Sequence, residues 1–214
     1  MCQITVGRDR YCEKASMIRF VHALVALAGA AVFLAGPVQA QPPNEAADEN
    51  VFVFAGPFTS GYFSDAIQPW AWQLESNVFV GAGYQRFFYA YESFQLGVEA
   101  GLGLRLGSPS SAEAWAGLVG RLTEFEIGQI NITPSVTFGL SAVTDTIGVE
   151  TERTAAAGES AAILYYLAPE IAISHDDHPE WEAFGRIQHR SGGFGTIAHI
   201  DGSNALTVGL RYKF

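Results

Sequence analysis

The sequence predicts an all-β fold, an eight-stranded antiparallel β-barrel that crosses a membrane. Three observations predict it. Residues 41–214 hold no apolar stretch long enough for a helical span, which needs ~20 residues. Several segments instead alternate apolar and polar residues with a period of two, as strands with two unlike faces do. The chain also closes on Gly209-Leu210-Arg211-Tyr212-Lys213-Phe214, with an apolar or aromatic residue at every second position up to a terminal Phe. A chain that enters lipid without helices must satisfy its backbone polar groups between strands, so the sheet must close.

Residues 1–40 read as a signal peptide rather than part of the fold. Arg8, Arg10, Lys14 and Arg19 form a basic region, Ala23–Leu34 an uncharged apolar run, and Val38-Gln39-Ala40 a cleavage site. The run is short for a membrane span, which favours cleavage over a retained anchor. The basic region is long, and Met17 would give a more ordinary start. Cys2 and Cys12 both precede the run, so the exported chain carries no disulfide scaffold and no thiol chemistry. Removing residues 1–40 takes four of the 12 basic and two of the 22 acidic residues, which leaves 174 residues at a net charge of −12. That length suits one domain, and no basic patch offers itself to nucleic acid. Residues 41–50, polar and with two prolines, read as a flexible lead-in, and the barrel occupies 51–214.

Taken in order, the strands fall at Val51–Phe58, Ser76–Tyr89, Phe94–Leu106, Glu113–Leu122, Asn131–Val143, Ala161–Ser174, Trp181–Ser191 and Asn204–Phe214. In the third, Phe94, Leu96, Val98, Leu102 and Leu104 share one face, and Gln95, Glu99 and Arg105 share the other with Gly97, Gly101 and Gly103. In the fifth, Ile132, Val136, Phe138 and Leu140 oppose Thr133, Ser135, Thr137 and Ser141. In the eighth, Leu206, Val208, Leu210, Tyr212 and Phe214 oppose Thr207, Arg211 and Lys213. The first, second and fourth alternate less cleanly. Long or Gly/Ser-rich links follow the odd-numbered strands: Thr59–Glu75, Gly107–Ala112, Thr144–Ser160 and Gly192–Ser203. Glu92-Ser93 and His175–Glu180 are tighter. Short periplasmic turns and longer external loops are the rule in such barrels, which puts both termini in the periplasm and the Gly192–Ser203 loop outside. The interior of an eight-stranded barrel is filled by side chains, so a functional site belongs on the outer wall or the loops.

The seventh strand breaks its own pattern. Its even positions include Glu182, Arg186, Gln188 and Arg190, a charged set that belongs inside. His189 and Ser191 therefore point outward, towards lipid, at the external end. Residues two apart on a strand share a side, so a base and a nucleophile can face one another. A Ser hydroxyl becomes a good nucleophile when a neighbouring imidazole takes its proton, and His suits that role near neutral pH. Polar groups merely seated at the headgroup interface are the competing reading, and His-x-Ser alone is a weak pattern.

The stretch His189-Arg190-Ser191-Gly192-Gly193, a loop, Asp201-Gly202 and a closing strand ending Tyr212-Lys213-Phe214 resembles the lipid A 3-O-deacylase (PagL) family. The strand layout from about Val51 is also similar. The resemblance implies an eight-stranded outer-membrane barrel of a Gram-negative bacterium. It further implies hydrolysis of an acyl ester of lipid A in the outer leaflet, with Ser191 as nucleophile, His189 as base and no metal or organic cofactor. Phe214 would engage the barrel assembly machinery. Two positions depart from the family. Its acid falls on Asn204, an amide that can orient a His but carries no charge, and Asp201 is the alternative orienter. Its oxyanion Asn falls on Gly192, so the backbone N–H groups of Gly192 and Gly193 would have to serve.

Other candidates are weaker. His175-Asp176-Asp177-His178 has metal-ligand residue types but reads better as a solvated periplasmic turn. Glu124 and Glu126 read as a solvated face, and His199 as part of the external loop. Gly81-Ala82-Gly83 and Gly101-Leu102-Gly103 lack a nucleotide site's context and read as close packing inside a narrow barrel. A non-enzymatic barrel with a structural or lipid-binding role, and a phospholipase-like esterase, are the rival functions.

Overall fold

The computed structural model describes residues 49–122 and 125–214. The expected signal peptide, most of the 41–50 lead-in and Glu124 lie outside the described residues. Eight long strands form a closed antiparallel barrel. They are β1 (Glu49–Thr59), β2 (Leu74–Tyr91), β3 (Phe94–Leu106), β4 (Ser111–Leu122), β6 (Ile130–Val143), β7 (Ile163–His175), β8 (His178–Ser191) and β9 (Asn204–Lys213). A three-residue strand, β5 (Phe125–Ile127), pairs with the start of β6. Neighbours in sequence pair, β4 pairs with β6, and β9 returns to β1 with Val53 opposite Leu210. No helix among the described residues is long and apolar enough to cross a membrane.

The two faces separate as the period of two requires. Outward positions such as Val53, Leu102, Phe138 and Val208 are exposed, while Gln85, Glu99, Glu182, Arg186, Arg190 and Arg211 are buried inside. The interior charges are paired. Arg186 binds Glu99 at 2.8 Å and Glu170 at 2.7 Å, Arg211 binds Glu170 at 2.6 Å and Glu182 at 2.8 Å, and Arg121 also binds Glu182. Buried charges persist where partners and hydrogen bonds offset their desolvation. Around this ladder pack Phe52, Phe54, Phe79, Trp115, Tyr166 and Phe184. Inward glycines make room for these rings. A Cβ on Gly101 would lie 2.1 Å from Trp115, and one on Gly83 would lie 2.4 Å from Phe52.

Two of the four links expected to lie outside hold structure that the alternation did not predict. The first carries a helical turn, α1 (Phe63–Ala66), and a 3-10 turn at Pro69–Ala71. The third contains α2 (Val149–Ala157), which starts with Glu150 and Glu152 in its first turn and ends at Gly158 in the left-handed region at φ 67°. Acids at a helix N-terminus and Gly just past its end are the stabilising choices there. Glu150 reaches into the barrel mouth, where it binds Arg105 at 2.6 Å and Arg190 at 2.5 Å. At the opposite end, β7 and β8 run further than expected, and only Asp176 and Asp177 turn between them.

Candidate active site

The site sits where β8 and β9 meet the external rim. The ladder places His189 directly opposite Asn204, and Asn204 opposite Thr59 of β1. His189 Nδ1 lies 2.6 Å from Asn204 Oδ1, and Asn204 Nδ2 donates to the Gly61 carbonyl at 3.0 Å. A carbonyl can only accept, so the amide nitrogen must face Gly61 and the amide oxygen must face the imidazole. That oxygen then requires the proton on Nδ1 and leaves Nε2 with its lone pair, the tautomer a general base needs.

His189 does not lie open to lipid, as its outward parity implied. It is 9% exposed and Asn204 is 1% exposed. The first external link folds down over them. Phe63 of α1 packs on the imidazole with ring centroids 4.6 Å apart, and the Asn204–Gly61 hydrogen bond holds the link there. Tyr62 N–H donates to Asp65 Oδ2 at 2.8 Å, which stops the start of α1 from fraying.

Ser191 lies two residues on, opposite Tyr165 of β7, and is half-buried. Its hydroxyl has no hydrogen-bond partner among the described residues, so the expected His189–Ser191 contact is not made in this arrangement. Catalytic hydrogen bonds often tighten only around bound substrate. Of the two expected oxyanion donors, Gly192 is corrected. Its N–H is committed to the Ile200 carbonyl at 2.9 Å, because the 192–203 loop folds back on itself. A Cβ at Gly192 would lie 1.8 Å from the Ala198 carbonyl oxygen, so the position demands glycine for the fold of the loop. The Gly193 N–H, at φ 62°, is left as a donor without an acceptor among the described residues. Asp201 is exposed, and its backbone carbonyl, not its carboxylate, is engaged, accepting from Arg153 at 3.1 Å. Asn204, not Asp201, is the residue that touches His189.

Three residues that sequence reasoning missed complete the surroundings: Gly61, Phe63 and Arg153. Arg153 of α2 donates to the carbonyls of Asp201, Gly202, Ser60 and Gly61 at 3.1, 2.6, 2.9 and 3.3 Å and lies over the Tyr62 ring. One signal could have found it, since it is the only Lys or Arg in the four external links. Elsewhere, His199 pairs with Glu159 across two external loops at 3.0 Å. The backbone and ring of His199 hold the Glu159 carboxyl below its ordinary range. In the turn between β7 and β8, His175 Nδ1 accepts from Asp177 N–H, Asp176 accepts from Asn131, and His178 points to Glu180. Among the described residues no three metal-ligating side chains come together there. Glu126 is exposed on β5.

The fold is that of the small outer-membrane barrels, eight antiparallel strands around a filled interior. Within that class, the chain is similar to the outer membrane enzyme PagL, with a TM-score of 0.54 at 13% identity over 77% of this chain and 99% of that one. It is also similar to Neisserial surface protein A (TM-score 0.47, 12% identity, 80% and 100% covered). A third likeness is to the N-terminal barrel domain of Pseudomonas aeruginosa OprF (TM-score 0.44, 10% identity, 79% and 100% covered). No protein-family model matches the sequence, and a search of curated proteins found no match.

Proposed function

We propose that this protein is an outer-membrane acyl-ester hydrolase whose substrate is lipid A of the outer leaflet. Ser191 is the nucleophile, His189 the general base and Asn204 the residue that orients it. The observation that carries the reading is the 2.6 Å contact between His189 and Asn204 on the outward face of the rim, with the amide turned by Gly61. A buried, tautomer-fixed imidazole two residues from a free serine is costly decoration for a wall that only has to face lipid. In the reaction, substrate displaces the Phe63 ring and brings its ester carbonyl to Ser191. His189 Nε2 takes the hydroxyl proton as Oγ attacks, and the Gly193 N–H, which has no acceptor among the described residues, is the donor assigned to the oxyanion. The proton passes to the leaving alcohol, and water then hydrolyses the acyl-enzyme by the same route. No metal or organic cofactor is required. Phe214 and the apolar outward residues before it serve insertion by the assembly machinery, and a cleaved signal peptide delivers the chain across the inner membrane.

The only Arg or Lys of the four links has both terminal nitrogens on backbone carbonyls, so no loop cation selects lipid A over a phospholipid, and a phospholipid-type ester is the second candidate substrate. Fatty-acid release by the purified protein, measured on lipid A and on phospholipid vesicles, separates the two. Ser191→Ala and His189→Ala should each abolish release while the barrel stays folded, since members of such a unit act together. Activity that persists in Ser191→Ala would place the chemistry elsewhere. No release from either lipid by the wild type would favour a non-enzymatic barrel.

A further inference from the structure

We infer that Arg153 is a positioning residue for the His189–Asn204 pair, and that α2 is the clasp through which the barrel interior sets the tautomer of the outward imidazole. The inference deepens the proposed function and rests on it for its kinetic arm only.

The geometry forms a continuous chain. Arg190 and His189 are neighbours on β8, one pointing in and the other out. Inside, Arg190 binds Glu150 at 2.5 Å, and Arg105 binds the same carboxylate at 2.6 Å. Both arginines and the glutamate are fully enclosed, so the start of α2 is pinned in the barrel mouth. Arg190 also donates to the Ala161 carbonyl at 2.8 Å, which ties down the far end of the same link. One helical turn after Glu150, Arg153 reaches out over the rim. Its Nη1 grips the Asp201 and Gly202 carbonyls just ahead of β9, and its Nη2 grips the Ser60 and Gly61 carbonyls just after β1. The Gly61 carbonyl is therefore shared between Arg153 and the Asn204 amide. That carbonyl is what turns the Asn204 oxygen towards His189.

A planar guanidinium suits this task and an ammonium does not. Arg presents several donors in a fixed fork, and here the fork joins the carbonyls of two loops. Lys would carry the same charge but could not hold four carbonyls from two directions. Without the fork, the Gly61 carbonyl can drift from Asn204, the amide is free to rotate, and Nδ1 of His189 loses its obligatory acceptor. The imidazole then populates the other tautomer, whose Nε2 carries a proton and cannot act as base.

The test uses the full barrel in lipid nanodiscs. In wild type, the 15N shifts of His189 should show the Nδ1-protonated tautomer as the dominant form. Arg153→Lys and Arg153→Ala should each leave the dispersed barrel spectrum intact but shift His189 to a mixture of tautomers. In the kinetic arm, both variants should lower kcat for ester hydrolysis about tenfold or more with little change in KM. In an Asn204→Ala background, Arg153→Ala should then add no further loss, since both act through one contact. A wild-type tautomer in Arg153→Ala would overturn the inference, as would additive losses in the double variant. If the wild type hydrolyses no ester, the proposed function fails, while the tautomer shift still decides the role of Arg153. If Arg153→Ala does not fold, Arg153→Lys alone decides it by the same shift.

Discussion

Replacing Asn204 by Asp restores an acid where the site now has an amide, and the structure allows the gain to be bounded. In a Ser-His-Asp enzyme the opposite change costs ~10⁴ in rate because it sets the wrong tautomer, a loss that Gly61 already prevents here by turning the amide oxygen towards His189. Asp fits the same volume as Asn and keeps an oxygen where Oδ1 now meets His189 Nδ1 at 2.6 Å. What is lost is the Nδ2 donation to Gly61, and a carboxylate oxygen comes to face that carbonyl. A buried hydrogen bond lost in this way costs about 1–3 kcal/mol. Gly61 is not left unpaired, because Arg153 also donates to it, and the same guanidinium stands near the new carboxylate. The lost Nδ2 donation bears on stability rather than on kcat, and what the carboxylate adds to kcat is the charge on its hydrogen bond to the forming imidazolium, about 1–2 kcal/mol, so Asn204→Asp should raise kcat by roughly tenfold. The assay is fatty-acid release from lipid A and from phospholipid vesicles, with barrel integrity checked in parallel. A folded Asn204→Asp protein slower than wild type would refute the idea that this position orients a catalytic imidazole.

Four further outcomes are expected. Phe63→Ala should uncover His189, seen as faster carbethoxylation of that ring by diethylpyrocarbonate, and an unchanged rate would mean that the α1 turn does not shield it. Glu150→Ala leaves Arg105 and Arg190 facing each other without their shared carboxylate, and should destabilise the barrel by about 3–5 kcal/mol in denaturant unfolding from lipid. Leu210→Arg sets a charge on the lipid face and should cost roughly 2–4 kcal/mol, seen as impaired assembly. The Glu159–His199 latch should respond to pH with a definite sign. The Glu159 carboxyl is held below its ordinary range, so its contribution is present above the unfolded value and is lost as the pH falls through the lowered one. Hydrogen exchange in residues 192–203 should therefore rise on acidification in wild type but not in Glu159→Gln.

The barrel was legible because its strands obey one rule, and most places where the sequence blurred that rule have a physical cause. β1 and β4 alternate poorly in hydropathy because their inward positions include Phe52, Phe54 and Trp115, so both faces read as apolar. Burial nevertheless alternates along Asn50–Phe54. The inward glycines signalled a narrow interior, and the rings that occupy it explain them residue by residue. α2 was missed because its helix is defined by capping and charge rather than by an apolar stripe. Glu150, Glu152 and Gly158 mark its ends, and its one deeply buried side chain is a glutamate.

The site shows the same division at closer range. His189 and Ser191 could be found from sequence because they violate the alternation of a strand whose other polar residues point inward. Asn204 was reached through the family resemblance, which sets the family's acid on it, and its parity with Leu206 and Val208 agrees with the ladder that puts it opposite His189. Strand parity fixes only the side from which a residue leaves the sheet. It says nothing about what a loop then lays over it, so the burial of His189 under Phe63 and the engagement of the Gly192 N–H by Ile200 could not be read in advance. Both follow from links that return to the wall, and what fastens those links is Arg153, whose partners are backbone carbonyls from distant turns. A carbonyl has no residue type, and such contacts therefore leave no motif. The lone cation among acidic and neutral links was the only trace they could leave, and it marks the point where those links are fastened over His189.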